Sequence, residues 1–203
     1  LGFFKYANFF SDGFSNVLNS VGLEADPLTL NVILPVGISF YTFQTLSYTF
    51  DVYRRRIAPT SKLIDFATYV AYFPQLVAGP IERAQRLLPQ ITNTKRTRPR
   101  GAQLEQACGL ILLGLVKKVV LADGVARVAD DAFSAPGTSS WLALSAGVVA
   151  FSIQIYGDFS GYTDIARGVS MLLGIDLVVN FREPYLSRNI TEFWRRWHIS
   201  LSN

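Results

Sequence analysis

The sequence predicts an all-α protein that crosses a membrane several times. Hydrophobic residues make up 50% of the 203 positions and charged residues only 17%, whereas soluble domains carry about 25% charged residues. Two uncharged stretches, Pro27–Phe50 with 24 residues and Ala132–Gly157 with 26, exceed the roughly 20 residues that a helix needs to cross the bilayer core. The alternative interpretation is a soluble protein with buried core helices.

The domain organisation follows from the same pattern. Residues 1–203 contain no internal repeat and no segment typical of a soluble domain, so we expect one membrane domain. Because Leu1 falls inside an apolar segment and no initiator methionine precedes it, we expect this domain to be incomplete at both ends. Cys108 is the single cysteine, which excludes a disulfide within these residues.

The first elements have charges that predict their orientation. Residues 1–18 are typical of a helix end, and Pro27–Phe50 is the first full span. Glu24 and Asp26 precede that span, and the cluster Arg54–Arg56 follows it. Since Lys and Arg accumulate beside the cytoplasmic ends of spans, we place the arginines inside and the two acids outside.

Residues 66–81 are uncharged but are predicted not to cross the membrane. At 1.5 Å per residue, 16 residues reach at most about 24 Å, less than the ~30 Å hydrocarbon core, and basic residues flank both ends. Pro74, Gly79 and Pro80 would also interrupt a helix. We predict a broken, re-entrant element whose backbone lines a cavity, because irregular backbone survives at membrane depth only there or inside protein.

The next elements are a span over residues 103–122 and a second one that starts at Trp141. Lys117 and Lys118 lie near the end of the first span, where we expect them to reach the interface or to pair with acids. Between the two spans, residues 123–140 carry three aspartates and one arginine and are predicted to form an external turn.

The stretch "YGDFSGYTDIARG", residues 156–168, follows the last uncharged run. If it is helical, Gly157 and Gly161 permit close approach of another helix, and Asp164 can pair with Arg167 three residues later. Asp158 is a further acid at membrane depth. Ionisable groups there indicate a functional site, but a structural ion pair explains them equally well.

The stretch "NITEFWRRWHISLS", residues 189–202, contains the single histidine of the sequence. Asn189 followed by Glu192 resembles a capping box and predicts a helix start. On one continuous helix, Trp194, His198 and Ser202 would share a face because they are four residues apart.

The residues around this histidine suggest a helix at the membrane–water interface. Phe193 and Trp197 form an aromatic strip next to the face of His198, as interfacial helices do. Arg195 and Arg196 would face lipid headgroups or an anionic ligand.

His198 is the candidate catalytic residue. A histidine has an ordinary pKa near 6.5, nearby arginines favour its neutral form, and a neutral imidazole can act as a general base. The alternative is an interfacial histidine that only packs. Without a second histidine or a cysteine cluster we predict no metal site, and basic residues placed beside spans argue against nucleic-acid binding.

Four stretches in this order resemble the membrane-bound O-acyltransferase family, especially its bacterial alginate O-acetyltransferase branch and more distantly the D-alanine transferases of teichoic acid. Together they run across nearly the whole sequence, which makes the resemblance far more specific than any one motif. They are "PVGISFYTFQTLSYTFDVYRR", "FATYVAYFPQLVAGPIERA", "YGDFSGYTDIARGVSMLLGI" and "NFREPYLSRNITEFWRRWHISLS".

The resemblance implies a ring of tilted, partly short helices around a funnel in the bacterial inner membrane. It implies transfer of an acyl group from a cytoplasmic thioester such as acetyl-CoA, which is a substrate and not a bound cofactor, to an exported polysaccharide such as alginate. Extracytoplasmic acetyltransferases are the implied protein partners. The family uses two histidines: one matches His198, and the other is expected beyond residue 203.

On this hypothesis His198 is the general base or an acyl relay. The remaining candidates would form the pocket, orient the site or attract the donor's phosphates: Trp194, Trp197, Asp158, Asp164, Arg195, Arg196, Pro74, Gly79 and Pro80. Two alternatives stay open, namely transfer of D-alanine or another acyl group to a cell-envelope polymer, and a transporter subunit or silent scaffold without chemistry.

Overall fold

The structure is a computed structural model that describes residues 2–24, 26, 37–76, 79–97, 99–134, 137 and 139–202, with backbone alone for residues 2–5. Within this part of the chain all regular structure is helical, which agrees with the predicted all-α class. The α-helices, in chain order, are α1 (Gly2–Ser20), α2 (Ile38–Tyr53), α3 (Leu63–Val70), α4 (Ala84–Thr92), α5 (Ala102–Leu115), α6 (Asp123–Ser134), α7 (Trp141–Leu172), α8 (Ile190–Arg196) and α9 (Ile199–Ser202). Val116–Ala122 is a π-helical segment, and Phe73–Gln75 and Pro184–Leu186 are 3₁₀ turns.

Helix α7 is the longest element, with 32 residues, or about 48 Å at 1.5 Å per residue. Among the described residues it is the one helix that is long and apolar enough to cross a membrane. Ser140 caps its start by accepting a hydrogen bond from the amide of Ala143 at 3.2 Å. Gly174, with φ of 72°, ends it because glycine takes the left-handed conformation without strain.

Helices α5 and α6, joined by the π segment, pack along α7 through small residues. A Cβ built on Gly161 would lie 2.8 Å from the carbonyl oxygen of Gly114, and one on Gly157 would lie 2.9 Å from that of Lys117. Neither position therefore accepts a side chain without a shift of backbone. The predicted close helix approach at this pair of glycines is confirmed.

The predicted external turn over residues 123–140 is wrong in its first part, because residues 123–134 form α6. The aspartates of α6 lie on its exposed side, while Ala129 and Ala132 are buried. Ala132 packs against Gly147 of α7. A charged segment can thus remain helical when its small residues form one face against a long apolar helix.

Residues 63–92 form a short, interrupted layer around a buried core. Helix α3 ends at Val70, a 3₁₀ turn follows, and α4 begins only at Ala84, so the predicted break within residues 66–81 is confirmed. Tyr69 and Leu87 are fully buried and pack with the segment that follows α7. The guanidinium of Arg86 donates to the carboxylate of Asp176 at 2.5 Å, which fixes α4 on this segment.

Two N-terminal predictions are tested only in part. Helix α1 extends over Gly2–Ser20, close to the predicted helix over residues 1–18. The first ten residues of the predicted span at 27–50 lie outside the described residues, and α2 accounts for the rest. Helix α2 ends at Tyr53, just before the arginine cluster Arg54–Arg56, as the charge pattern predicts.

Candidate active site

His198 lies at the break between α8 and α9. Its backbone has φ of 45°, a left-handed conformation that non-glycine residues rarely adopt. Its imidazole is partly buried and packs edge to face on the ring of Phe159, with centroids 4.7 Å apart. Its Nε2 atom is buried and has no hydrogen-bond partner among the described residues.

The predicted shared face of Trp194, His198 and Ser202 is wrong, because one continuous helix does not carry them. Helix α8 ends at Arg196, whose carbonyl oxygen accepts from the amide of Arg182 at 3.0 Å. Trp197 and His198 then leave the helical conformation. Long-range pairing with the segment that precedes α8 therefore overrides the local tendency to continue the helix.

Trp197 forms the centre of an aromatic cluster that adjoins His198. Its ring stacks on Phe193, with centroids 5.6 Å apart, and meets Phe181 edge to face at 5.1 Å, so the predicted pairing with Phe193 is confirmed. The other rings of the cluster belong to Tyr156, Phe159 and Tyr185. Trp194 contacts Phe193 but is 57% exposed, so it lies on the outer side of the cluster.

The predicted helix start at Asn189 is confirmed, but the bond from Glu192 goes to the amide one residue before the N-cap and not to the N-cap amide of a capping box. The side chain of Asn189 accepts from the amide of Glu192 at 2.8 Å, and the Glu192 carboxylate accepts from the amide of Arg188 at 2.8 Å. That second bond, with a further one from the Arg196 guanidinium, holds the pKa of Glu192 below its usual value. Arg196 is thus paired within its own helix, and Arg195 is exposed beside it.

The acids of α7 pair with lysines of the π segment rather than with His198. Lys117 donates to Asp164 at 2.6 Å, and Lys118 donates to Asp158 at 2.7 Å, which confirms the expected pairing of both lysines. Arg167 lies 3.9 Å from Asp164, so the predicted pair is present but weaker than the one with Lys117. These ion pairs fix α7, whose Tyr156 and Phe159 then support the histidine site.

Pro74, Gly79 and Pro80 are buried in the loop region between α3 and α4. Gly79 has no room for a side chain because a Cβ would collide with the backbone of Gln75. The amide of Ile81 donates to the hydroxyl of Ser200 at 3.0 Å. This bond brings the loop to the residues that directly follow His198.

Asn180 and Ser200 belong to the site, and sequence reasoning missed both. Asn180 is fully buried, and its Oδ1 accepts from the amide of Ser200 at 3.1 Å and from the Ser200 hydroxyl at 2.8 Å. Neither residue is chemically distinctive, and the contact joins positions 20 apart. A buried polar residue can be found only once the fold is known.

Burial lowers the pKa of His198 below its ordinary value of 6.5. The neutral imidazole that we predicted is therefore favoured, but the cause is desolvation and not the neighbouring arginines. A neutral ring with a buried, unpaired Nε2 can accept a proton from, or donate one to, a ligand that reaches it.

The comparisons with known proteins identify the class to which this fold and site belong. The model of the membrane-bound O-acyltransferase family matches residues 45–203, and the chain belongs to that family. The predicted resemblance is thereby confirmed.

Three relatives show where the chain lies within the family. It is 46% identical over its whole length to the Pseudomonas putida protein named "Probable alginate O-acetylase AlgI", covering 41% of that protein. It is 37% identical to the peptidoglycan O-acetyltransferase of Helicobacter pylori, again over its whole length and 42% of the relative. It is 29% identical over 96% of its length to the teichoic acid D-alanyltransferase of Streptococcus thermophilus, covering 48%. The chain thus spans less than half the length of these relatives.

Proposed function

We propose that this chain is part of a multi-pass enzyme of the bacterial inner membrane that transfers acetyl groups to an exported polysaccharide. Membership of the acyltransferase family supports the reaction class. The relatives named as alginate O-acetylases, at 44–46% identity, support an alginate-like acceptor. The helical architecture and α7, which is long enough to span a bilayer, agree with a membrane location.

The observation that carries the proposal is the buried, unpaired Nε2 of His198. In the proposed reaction this nitrogen removes the proton of an acceptor hydroxyl while the oxygen attacks the thioester carbonyl. The new C–O bond forms, the C–S bond breaks, and the imidazolium returns the proton to the departing thiolate. General base catalysis of this kind contributes about 10²–10⁴ in rate.

The surroundings of His198 suit this chemistry. The cluster around Trp197 covers one side of the site with aromatic surface, and exclusion of water strengthens the electrostatic interactions that stabilise a transition state. The ion pairs of Asp158 and Asp164 hold the helix that supplies Phe159. In the proposed function, Asp158 and Asp164 therefore orient the site indirectly, through α7.

A cleft between α8 and α9 is the proposed entry of the donor. Its volume is about 540 Å³, and its lining includes Trp194, Arg195 and Thr191. Arg195 is exposed, so its guanidinium is available to the phosphates of a donor such as acetyl-CoA, and Trp194 offers an aromatic face beside it. The pairing of Arg196 with Glu192 makes Arg195 the better phosphate ligand of the two.

The second candidate function differs from the first in the acyl group that is transferred and in the polymer that accepts it. The 29% identity to a teichoic acid D-alanyltransferase favours transfer of an aminoacyl group to a cell-envelope polymer as the alternative. Mild alkali releases the acyl groups from the polymer, and their identification as acetate or D-alanine distinguishes the two functions. Transfer to a polymer outside the membrane further implies extracytoplasmic acetyltransferases as partners.

Substitution His198→Gly in the full-length protein tests the proposal. Glycine accepts the left-handed backbone at this position, so the variant removes the imidazole without adding strain. We expect O-acetylation of the secreted polymer to fall by about 10²-fold or more while membrane abundance is unchanged. Arg55→Gly is the matched control, because Arg55 also has a positive φ of 56° but is exposed and outside the site. Normal acetylation in the His198 variant would rule out the catalytic assignment.

A further inference from the structure

The backbone of His198 is held in its left-handed conformation by bonds on both sides. Before it, the amide of Trp197 donates to Phe193 at 2.9 Å. After it, the amide of Ile199 donates to the carbonyl oxygen of Asn180 at 2.9 Å. Because a non-glycine residue persists in this conformation only when its surroundings fix it, these neighbours determine where the imidazole points.

Asn180 makes three of the bonds that follow His198. Its backbone carbonyl holds Ile199, and its side-chain Oδ1 accepts from both the amide and the hydroxyl of Ser200. Its complete burial excludes water from these bonds, so losing one leaves a buried polar group without compensation. An apolar residue of similar size would leave the two Ser200 donors unpaired.

Ser200 extends the same network to a second part of the chain. While its hydroxyl donates to Asn180, its oxygen accepts from the amide of Ile81 at 3.0 Å. Ile81 directly follows the buried residue Pro80. One hydroxyl therefore joins three segments: the segment after α7 that contains Asn180, the loop before α4 and the turn that carries His198.

We propose that Asn180 and Ser200 are positioning residues for His198, which fix the direction of the imidazole through the turn that they clamp. Neither touches the reacting atoms in this arrangement, so their effect is on geometry. The inference rests on the proposed function, because it concerns the efficiency of the base assigned there. A misplacement of about 1 Å in a catalytic group can reduce the rate by about 10²-fold.

The experiment uses the full-length protein in membranes, with acetyl-CoA as donor and the host polysaccharide as acceptor. Ser200→Ala removes the two bonds of the hydroxyl, to Asn180 and to the amide of Ile81, and keeps the bond from its own amide to Asn180. Ser200→Thr retains the hydroxyl. Ser134→Ala is the matched control, because the Ser134 hydroxyl donates to the carbonyl of Asp131 at the exposed end of α6, away from His198 in the chain. The readouts are kcat, the KM for acetyl-CoA, and the rate at which diethyl pyrocarbonate modifies His198, followed by peptide mass spectrometry.

We expect Ser200→Ala to lower kcat by about 10- to 100-fold at an unchanged KM, and to speed modification of His198 as its buried ring is released. Ser134→Ala should match the wild type in all three readouts, and Ser200→Thr, which keeps the hydroxyl, should recover kcat and the modification rate relative to Ser200→Ala. If Ser200→Ala does not accumulate in the membrane, Ser200→Cys replaces it. A thiol is nearly the same size as the hydroxyl but is a weak donor and acceptor, so this variant should also lower kcat.

The outcomes separate this inference from the proposed function. If His198→Gly abolishes transfer but an accumulated Ser200→Ala variant keeps the wild-type kcat and modification rate, the positioning role is refuted and the catalytic role of His198 stands. If the wild type transfers no acetyl group, the proposed function fails. The modification rate of His198 then still decides whether Ser200 fixes the ring.

Discussion

At the scale of single residues, the environment of His198 determines which protonation state it has. The ring edge lies on Phe159, and its buried Nε2 has no partner in the part of the chain that the structure describes. Desolvation penalises the charged form, because an imidazolium in this position would lose its hydration without gaining an acceptor. Arg195, Arg196 and Arg188 are nearby in sequence, but Glu192 neutralises Arg196 and caps the amide of Arg188.

The direction of this pKa shift predicts the pH dependence of transfer. Because the pKa of His198 lies below 6.5, its ring becomes protonated only at a lower pH than an exposed histidine does. Because the base must be neutral, kcat should be constant around neutrality and fall about tenfold per pH unit below the lowered pKa. We expect the acidic limb of a kcat–pH profile, measured with acetyl-CoA, to have its midpoint below pH 6.5. A midpoint above 7 would contradict the burial of the ring.

Sequence reasoning located His198 but not the residues that orient it. A lone histidine between tryptophans and arginines is conspicuous in the sequence, and the helix start at Asn189 depends on a local spacing. The clamp by Asn180 and Ser200 depends on pairing between segments 20 residues apart. Such a pairing also ends α8 at Arg196, which explains why the helical spacing of Trp194 and His198 was misleading.

At the scale of elements, the packing of α5, the π segment and α6 on α7 depends on glycine and alanine. At Gly161 the backbone of α7 lies so close to α5 and the π segment that a Cβ would be 2.8 Å from the carbonyl oxygen of Gly114 and 3.2 Å from Cβ of Lys117. This approach is what brings Lys117 within 2.6 Å of Asp164. Small residues and ion pairs thus support each other along one interface.

Substitution Gly161→Ala should therefore destabilise the protein. The added methyl group meets backbone, which cannot move as a side chain can, and overpacking of this kind costs about 1–3 kcal/mol. Thermal unfolding of the full-length protein in detergent should show a lower midpoint. Gly109→Ala is the control, because none of the described residues lies within 4 Å of a Cβ at this position of α5; its midpoint should be unchanged or slightly higher. Equal midpoints for the two variants would argue against tight packing at Gly161.

The elements that sequence reasoning described well are those with a strong local signal. The uncharged run that begins near Trp141 predicted α7, and Pro74 and Pro80 predicted the break between α3 and α4. Helix α6 was missed because its aspartates suggested a loop, although its alanines form a face that packs on α7. The π segment was also missed, because it has no distinct sequence pattern.

At the scale of the whole molecule, the described helices constrain how the chain crosses a membrane. Between Arg56 and Lys95 the helices are α3 and α4, of eight and nine residues, or about 12–14 Å at 1.5 Å per residue. Neither approaches the ~30 Å of the hydrocarbon core. Both pack in one layer around Tyr69 and Leu87, so we expect this part of the chain to enter and leave the membrane on one side.

Positions 56 and 95 are therefore expected on the same, cytoplasmic side of the membrane, and position 24 on the other side. The test uses full-length protein in which Cys108 and any further cysteines are replaced, with single changes Arg56→Cys, Lys95→Cys or Glu24→Cys. In intact cells a membrane-impermeant maleimide should label position 24 alone, and permeabilisation of the inner membrane should add positions 56 and 95. All three positions are exposed, so failure to label after permeabilisation cannot be caused by burial in this part of the chain. Labelling of 56 and 95 from opposite sides would require residues 57–94 to cross the bilayer, which would exclude the re-entrant element predicted for residues 66–81.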